Sequence, residues 1–563
     1  MDFPKAEIVL LNGRVFRGLA EGTAAALAIS GGRVLAAGSD GEIEPLIGRT
    51  TRVIDMRGRL ASPGLYDAHL HLLPVGLAMA ELDVRPRQAP TLAALLAKIR
   101  DSAAAARPGA WVTARGYDQS RLDVRRHPTR HELDEAAPEN PVHLVRCCGH
   151  VSIVNSAALR IAQVDESTSA PAGGVIEKRD GRLTGLFAES ARDRIRAVLP
   201  AVTDADLVAA IERAGRHCLS FGITSVMDAA VGSKAGFREI AAYRTARATG
   251  RLPVRVNQCL LGGPGGIVDR AYAEGLVTGA GDDRLSVGPV KIFTDGSAGA
   301  RTAAMSAPYL GEPANQGLLC LAPQELSALV RDYHARGYQL AIHAIGDRAI
   351  DQVLDAYGLA LDDAADADRR HRIEHCSFVR PDQIARMARL GVHPVPQPVF
   401  IHEYGELYRA VVGAERTAAS HPMRSWIEAG LRPAASTDGP VSGIEPFPNL
   451  YAMLARRSSA GTLLGAAQAL TMPEALAAYT AHGAYVNRAE RHRGRLMPGF
   501  AADVAVFSRD LLAASPEEVL EDTVCDLTLL GGEIVHDRLG EAGAGVAPHQ
   551  LQSVPSSRRA TAG

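Results

Sequence analysis

Short apolar runs separated by turn-forming residues occupy both ends of the 563-residue chain. Within residues 6–60 the runs are punctuated by Asn-Gly, Gly-Gly and Asp-Gly pairs, which are typical of β-hairpins. A similar pattern returns near the end of the chain, in FAADVAVFSRD and CDLTLLGGEIVHD. Because neither piece is long enough to enclose a comfortable core alone, we expect the two ends to pair as one small β domain.

The centre of the chain repeats a different unit, in which a short apolar run is followed by a helical pattern. PQELSALVRDYHARG and RPDQIARMARLG, for example, place apolar residues at helical spacing. Eight strand–helix units of this kind predict a (β/α)₈ barrel, which is an α/β fold. Their apolar runs are LYDAHLHL, GITSVMDA, PVRVNQCLL, VGPVKIFTDG, YQLAIHAIGD, HRIEHCSF, GVHPVPQPVF and RPAASTDGPV.

The first and second of these runs are separated by far more residues than one crossover needs. We therefore predict an insertion at about 80–200, built over the mouth of the barrel. The predicted organisation places one part of the β domain at 1–60, the barrel at 61–490 and the second part of the β domain at 491–540. Residues 541–563 are rich in Gly, Ala, Ser and Pro and are predicted to be disordered.

The composition limits the classes of function. Hydrophobic residues make up 47% of the chain and charged residues 22%, with a formal net charge of -2, which is ordinary for a soluble protein. The sequence has no basic stripe or aromatic-rich RNA motif, so nucleic acid is not an expected partner. The first residues lack a secretory signal pattern, and no apolar run is long enough for a membrane helix. With 7 scattered cysteines, this pattern indicates a cytoplasmic protein without a membrane partner.

Two histidines follow the first apolar run of the predicted barrel, in Asp67-Ala-His69-Leu-His71. Residues i and i+2 of a strand point to the same side, so His69 and His71 can converge on one metal ion. Two histidines at this spacing can also simply line a polar barrel mouth. The pair alone leaves both interpretations open.

Lysine is scarce in this chain, and Lys291 lies between Val290 and Ile292 in a run that predicts a buried strand. A buried ammonium is unfavourable unless it is paired or neutralised. Reaction of the neutral amine with carbon dioxide would give a carbamate, an anionic ligand that can bridge two cations. An ion pair with a nearby carboxylate such as Asp295 is the alternative.

Three further donors stand at the ends of later apolar runs, namely His343, His375 and Asp438. Each alone is also typical of a structural role, but their order along the chain favours one shared site. The histidine pair falls on the first predicted strand, Lys291 on the fourth, and these donors on the fifth, sixth and eighth. All lie at the carboxyl ends of the predicted strands, where barrels place their chemistry. Together they predict a two-metal site with room for a shared water.

Several phrases of the sequence resemble the amidohydrolase superfamily. The resemblance is to its YtcJ-like branch, amidohydrolase family 3, which includes N-substituted formamide deformylase, and it covers roughly residues 6–540. The phrases that carry it are PGLYDAHLHL, GHVSIVNSAAL, VKIFTDGSAGARTAA, IHAIGDRAI, RIEHCSF, STDGPV and GRLMPGFAADVAVF.

The resemblance implies a metal-dependent hydrolase of carbon–nitrogen bonds other than peptide bonds. It implies a barrel flanked by a composite β-sandwich from both chain ends, and the superfamily suggests a homodimer. Zn²⁺ is the expected metal, with one or two ions bound, and Asp438 is expected to act as catalytic base and then acid. The implied ligands are His69, His71 and Asp438 for a first ion, His343 and His375 for a second, and N6-carboxylated Lys291 between them.

The expected reaction is hydrolysis of a small linear amide, such as an N-acyl or N-formyl amine, by metal-activated hydroxide. A cyclic amide, or another carbonyl or imine-like substrate on the same metals, is the alternative reaction. A catalytically silent scaffold is the alternative from a different class, although the intact ligand set argues against it. Loops must supply the specificity, and the candidate substrate contacts are Trp111, Tyr117, His150, Arg301, Tyr309, Gln397 and Phe400.

Overall fold

The structure is a computed structural model that describes residues 4–147, 149–171, 173–362 and 368–539. The tail at 541–563, which the sequence predicts to be disordered, lies outside these residues. Among the described residues, no helix has both the length and the apolar composition needed to cross a membrane.

The strands are β1 (Ile8–Leu11), β2 (Arg14–Gly18), β3 (Gly22–Ala24), β4 (Ala26–Ser30), β5 (Arg33–Gly38), β6 (Arg52–Asp55), β7 (Leu60–Pro63), β8 (Leu65–Leu70), β9 (Leu82–Asp83), β10 (Val112–Tyr117), β11 (Val142–Arg146), β12 (Val151–Val154), β13 (Gly174–Arg179), β14 (Arg182–Glu189), β15 (Ile223–Val231), β16 (Arg255–Leu261), β17 (Leu285–Phe293), β18 (Leu340–Ala344), β19 (Arg372–His375), β20 (His393–Val395), β21 (Val504–Phe507), β22 (Cys525–Leu530) and β23 (Glu533–Asp537).

The helices are α1 (Asp40–Ile43), α2 (Leu72–Ala78), α3 (Leu92–Ala105), α4 (Arg130–Ala136), α5 (Ser156–Ile161), α6 (Asp193–Arg196), α7 (Asp204–Leu219), α8 (Arg238–Ala248), α9 (Val268–Ala273), α10 (Pro323–Ala335), α11 (Asp347–Asp362), α12 (Pro381–Leu390), α13 (Val399–Val412), α14 (Ala414–Ala419), α15 (Met423–Glu428), α16 (Pro446–Ala455), α17 (Met472–Ala478), α18 (Ala481–Val486) and α19 (Pro516–Glu521). Short 3₁₀ helices cover Glu44–Leu46, Ser190–Arg192 and Ala466–Gln468.

Strands from both ends of the chain form one sheet. β7 pairs antiparallel with β21, and the sheet runs in the order β23-β22-β21-β7-β2-β3. A second sheet, β5-β4-β1-β6, is built from N-terminal strands alone. Buried residues of both sheets, such as Leu27 and Leu527, share one hydrophobic cluster, so the sheets pack face to face. The predicted composite β-sandwich is confirmed.

Seven parallel strands form the barrel, in the order β8-β15-β16-β17-β18-β19-β20. Strands β15 and β19 are buried along their whole length, as expected for continuous apolar runs covered on both faces. Helices α10, α11 and α12 follow successive strands, so the barrel predicted from the strand–helix units is confirmed.

The eighth predicted run, RPAASTDGPV, joins the barrel without forming a regular strand. Pro433 has no backbone N–H to donate, and Asp438 adopts a left-handed conformation with φ of 58°, so a regular ladder is interrupted. The segment still reaches both edge strands, through Ala434 N to Pro394 O (3.2 Å), Asp438 N to His69 O (2.8 Å) and His71 N to Gly439 O (2.8 Å). The expectation of eight strands is therefore corrected to seven strands and one hydrogen-bonded closing segment.

Residues 73–213 form a compact unit of their own. Its sheet has the order β13-β14-β12-β11-β10-β9 and mixes parallel and antiparallel pairs. Its main core includes Leu95 of α3, Leu133 of α4 and Leu144 of β11. The predicted insertion therefore contains a six-stranded sheet in addition to the predicted helical pieces.

We predict that Leu527→Ala lowers the free energy of unfolding by about 2–5 kcal/mol, because it leaves a cavity in a packed core. Leu527 is 1% exposed in the core shared by both sheets, whereas Leu19, after β2, is 51% exposed. The control Leu19→Ala should change the same quantity by less than about 0.5 kcal/mol. Denaturant unfolding followed by circular dichroism measures both, and equal effects would contradict the shared core.

Candidate metal centre

Strand β8 and the residue after it deliver the first two histidines. His71 Nδ1 donates to the Ala229 carbonyl at 2.7 Å, and His69 Nδ1 donates to the carboxylate of Glu374. Their Nε2 atoms face Asp438, whose Oδ1 lies 3.4 Å from His69 Nε2 and 3.1 Å from His71 Nε2. The ligand atoms of these two histidines and Asp438 lie within 4.8 Å of one another, so they can hold one metal ion.

His343 on β18 and His375 on β19 extend this cluster. Their ring centroids are 4.4 Å apart, and the centroid of His375 is 5.0 Å from that of His69. His375 Nδ1 donates to Gln397 Oε1 at 2.6 Å, and His343 Nε2 donates to Gly296 O at 3.2 Å. The structure thus brings the predicted histidines together at the carboxyl ends of their strands.

Left-handed backbone conformations let neighbouring residues of β19 reach the same site. Adjacent strand residues point to opposite sides, yet Glu374 contacts His69 and the His375 ring also lies beside it. His375 and Cys376 have φ of 66° and 50°, values that residues other than glycine rarely adopt. Such conformations cluster at functional sites. Here they interrupt the alternation of side-chain directions at the end of β19.

Lys291 is fully buried on β17, and burial lowers the pKa of its ammonium. Within the part of the chain that the structure describes it forms no ion pair, so the alternative of a salt bridge to Asp295 is not found. The carboxylate of Asp295 instead accepts backbone N–H groups of the loop after β18. The charges of Glu374, Cys259 and Asp438 oppose this lowering of the pKa, and the Lys291 ammonium nitrogen lies over the Phe293 ring, 4.8 Å from its centroid.

The residues present fit a bound divalent metal. His69 Nε2, His343 Nδ1 and Asp438 Oδ1 are buried and have no hydrogen-bond partner among the described residues. The other ring nitrogen of each histidine donates a proton, so the unpartnered nitrogen carries a lone pair. Burial lowers the pKa of His69, which favours its neutral imidazole. Neutral imidazoles beside a carboxylate are a donor set that Zn²⁺ accepts.

The predicted substrate contacts in the barrel unit have partners within the chain. Arg301 forms an ion pair with Glu312 at 2.9 Å, and the Tyr309 hydroxyl donates to a backbone carbonyl at 2.8 Å. Phe400 is 4% exposed and packs in a hydrophobic cluster. Gln397 is hydrogen-bonded to a predicted metal ligand. A direct role for these residues in binding substrate stays a prediction.

The three predicted substrate contacts in the insertion contact other residues of the same unit. Tyr117 is fully buried, and its hydroxyl bonds to His127 Nδ1 at 2.9 Å. Trp111 packs against a buried cluster of the same unit, and His150 Nδ1 lies 3.0 Å from the Glu189 carboxylate. Their role in binding substrate likewise stays a prediction.

The sequence reasoning missed two charged residues of β19, Arg372 and Glu374. Both are fully buried, and Glu374 contacts His69 directly. The signal was present in Arg372-Ile-Glu374-His375, because charges at i and i+2 of a buried strand share a side and need partners. That pattern indicates an ion pair inside the barrel.

A family model described as the amidohydrolase family matches residues 52–536. The chain belongs to the amidohydrolase family. This amidohydrolase is 30% identical to N-substituted formamide deformylase of Arthrobacter pascens, over 92% of this chain and 96% of that protein. It is 29% identical to YtcJ of Bacillus subtilis, over 87% of this chain and 91% of that protein.

A solved structure, that of an uncharacterized metal-dependent hydrolase from Pyrococcus horikoshii OT3, has the same fold. Its TM-score is 0.74 at 29% identity, and the match covers 91% of this chain and 99% of that chain. The resemblance inferred from the sequence is confirmed. The amidohydrolase described here is a hydrolase of carbon–nitrogen bonds other than peptide bonds.

We predict that Gln397→Leu weakens metal binding at His375 about 10–100-fold, the usual effect of removing the partner of a ligand. Without the amide oxygen, His375 Nδ1 loses its acceptor and the ring is no longer fixed. Gln397→Glu keeps an acceptor and is the matched control. Metal retained after dialysis against graded chelator concentrations measures the effect. Equal retention by both variants and the parent protein would show that Gln397 does not serve His375.

Proposed function

We propose that this amidohydrolase cleaves a linear amide, such as an N-formyl or N-acyl amine, to a carboxylate and an amine. The observation that carries the proposal is the convergence of histidines and Asp438, with unpartnered buried donor atoms, at the carboxyl ends of the barrel strands. Its relative named N-substituted formamide deformylase, which is 30% identical, supports the choice of a linear amide.

One or two divalent ions, with Zn²⁺ as the expected metal, would be held by the clustered side chains. When bound, such ions polarise a carbonyl group and make water more acidic. The proposed ligands are His69, His71 and Asp438 for a first ion, His343 and His375 for a second, and carboxylated Lys291 between them.

The surroundings of Lys291 support its proposed carboxylation. Burial lowers the pKa of its ammonium and so favours the neutral amine. The amine nitrogen can then form a bond to the carbon of carbon dioxide as one carbon–oxygen π bond opens to an oxyanion, and the nitrogen releases a proton to water. The product is a carbamate anion with two oxygen donors, which replaces an unfavourable buried cation with a ligand.

Asp438 is the proposed proton carrier. Its Oδ1 lies 3.4 Å from His69 Nε2 and 3.1 Å from His71 Nε2, which places the carboxylate within the cluster of proposed ligands. The carboxylate can therefore accept a proton from the attacking water and deliver it to the leaving nitrogen as the carbon–nitrogen bond breaks. An amine is a poor leaving group unless it is protonated, so this transfer is essential for an amide.

We predict that Asp438→Asn lowers turnover of an N-formyl amine at least about 100-fold, the low end of the contribution of general acid–base catalysis. The amide oxygen still offers a metal ligand but cannot carry the proton, so metal content should remain close to that of the parent protein. Formate and amine release measure turnover, and elemental analysis measures metal.

Two results would contradict this account. Retained turnover by Asp438→Asn would remove the carboxylate from its role as proton carrier. A panel that pairs linear N-formyl and N-acyl amines with cyclic amides tests the substrate, and hydrolysis of cyclic amides alone would overturn the choice of a linear amide.

A further inference from the structure

The histidines of the metal centre are oriented by acceptors of different strength. His71 donates to a backbone carbonyl at 2.7 Å, and His375 donates to the neutral amide of Gln397 at 2.6 Å. His69 instead donates to a carboxylate, that of Glu374, and both side chains are fully buried. A charged acceptor makes a stronger hydrogen bond than a neutral one. His69 is therefore more firmly held than His71, which follows β8.

Arg372 holds Glu374 in this position. Arg372 Nε donates to Glu374 Oε1 at 2.5 Å, and its Nη2 donates to Glu374 Oε2 at 3.0 Å. Such a bidentate pair fixes the plane of the carboxylate as well as its distance. Both side chains are 0% exposed, so water does not compete for the pair. Burial opposes ionisation of Glu374, but Arg372 and His69 outweigh it and keep the pKa of its carboxyl below the usual value.

The same guanidinium reaches the backbone of the ligand strand. Arg372 Nη2 donates at 2.6 Å to the carbonyl of Ala68, the residue before His69. Its Nη1 donates at 3.2 Å to Asn487 Oδ1, and Asn487 is anchored to Gly483 O at 2.9 Å. Both the ring of His69 and the backbone beside it are therefore tied to β19.

We propose that Glu374 is a positioning residue for the first metal ion, which holds the His69 ring with its Nε2 directed at the centre. The inference rests on the proposed function, since it concerns the same metal site. Glu374 also adjoins His375, a proposed ligand of the second ion. Strand β19 therefore sets the geometry of one ligand for each ion. A substitution of Glu374 is expected to weaken binding of the first ion more than binding of the second.

The physical reason lies in the tautomer of His69. A carboxylate that accepts from Nδ1–H keeps the proton on that nitrogen and leaves the lone pair on Nε2. It also increases the basicity of Nε2 and so strengthens the bond to a metal. Arg372 supplies the counter-charge, without which a buried carboxylate would be unfavourable.

The test compares metal affinity in Glu374→Gln, Glu374→Asp and a matched control. Glu374→Gln removes the negative charge. Glu374→Asp keeps a negative charge that can pair with Arg372, but its side chain is one methylene shorter and its carboxylate lies farther from His69. The control is Glu239→Gln, because Glu239 is also a buried carboxylate of the barrel unit, 2% exposed, and accepts backbone N–H groups of the segment that follows β15. Co²⁺ is titrated into metal-free protein, and binding is followed by its visible absorption.

Both Glu374 variants should bind the first equivalent of Co²⁺ about 10–100-fold more weakly than the parent protein. Glu239→Gln should bind Co²⁺ as the parent protein does, whatever its thermal stability. Should Glu374→Gln not fold, the Glu374→Asp variant decides the outcome alone.

The inference is overturned if the Glu374 variants match the parent protein in Co²⁺ affinity, or if Glu239→Gln loses affinity to the same extent. Failure of the proposed metal site gives a different result, since the parent protein itself would then bind no Co²⁺, and failure of the linear-amide assignment would leave the Co²⁺ affinities of all variants unchanged.

Discussion

Asp67, a buried carboxylate, joins the first barrel strand to the segment that closes the barrel. Its Oδ2 accepts the Thr437 hydroxyl at 2.6 Å, and its Oδ1 accepts the Thr437 N–H at 3.1 Å. The same Oδ1 accepts the backbone N–H of His69 at 3.2 Å. Because Thr437 precedes Asp438, these bonds hold the proposed proton carrier beside the histidines. The closing segment lacks a regular strand ladder, so these side-chain bonds, together with its backbone hydrogen bonds to the edge strands, fix the shape of the metal centre.

The centre also shows how a barrel can bury charge at a functional site. Glu374 is compensated by Arg372, and its remaining hydrogen-bonding capacity is used by His69. Lys291 has no such partner among the described residues, and burial lowers the pKa of its ammonium, which suits a residue that is to lose its charge and gain a carbamate. Burial lowers the pKa of His69 and His375, which favours the neutral imidazoles that a divalent metal requires.

Much of the fold and the ligand cluster could be predicted from the sequence, because both follow from local patterns. The spacing of His69 and His71 predicts that they share a side, and the strand–helix units place the later donors at one barrel face. Long-range contacts were out of reach, since no local pattern shows that Gln397 bonds to a histidine or that Tyr117 is buried in the insertion. The eighth strand was misjudged because an apolar run does not show the left-handed turn at Asp438.

Anomalous diffraction at the zinc absorption edge, recorded from crystals of the active enzyme, tests the central claim most directly. The account predicts a peak about 2.0–2.2 Å from His69 Nε2, His71 Nε2 and a carboxylate oxygen of Asp438, the usual bond lengths for zinc. Continuous density from Lys291 Nζ toward this peak would fit the carbamate. Active crystals with no metal peak among these side chains, or with the metal elsewhere, would contradict the account.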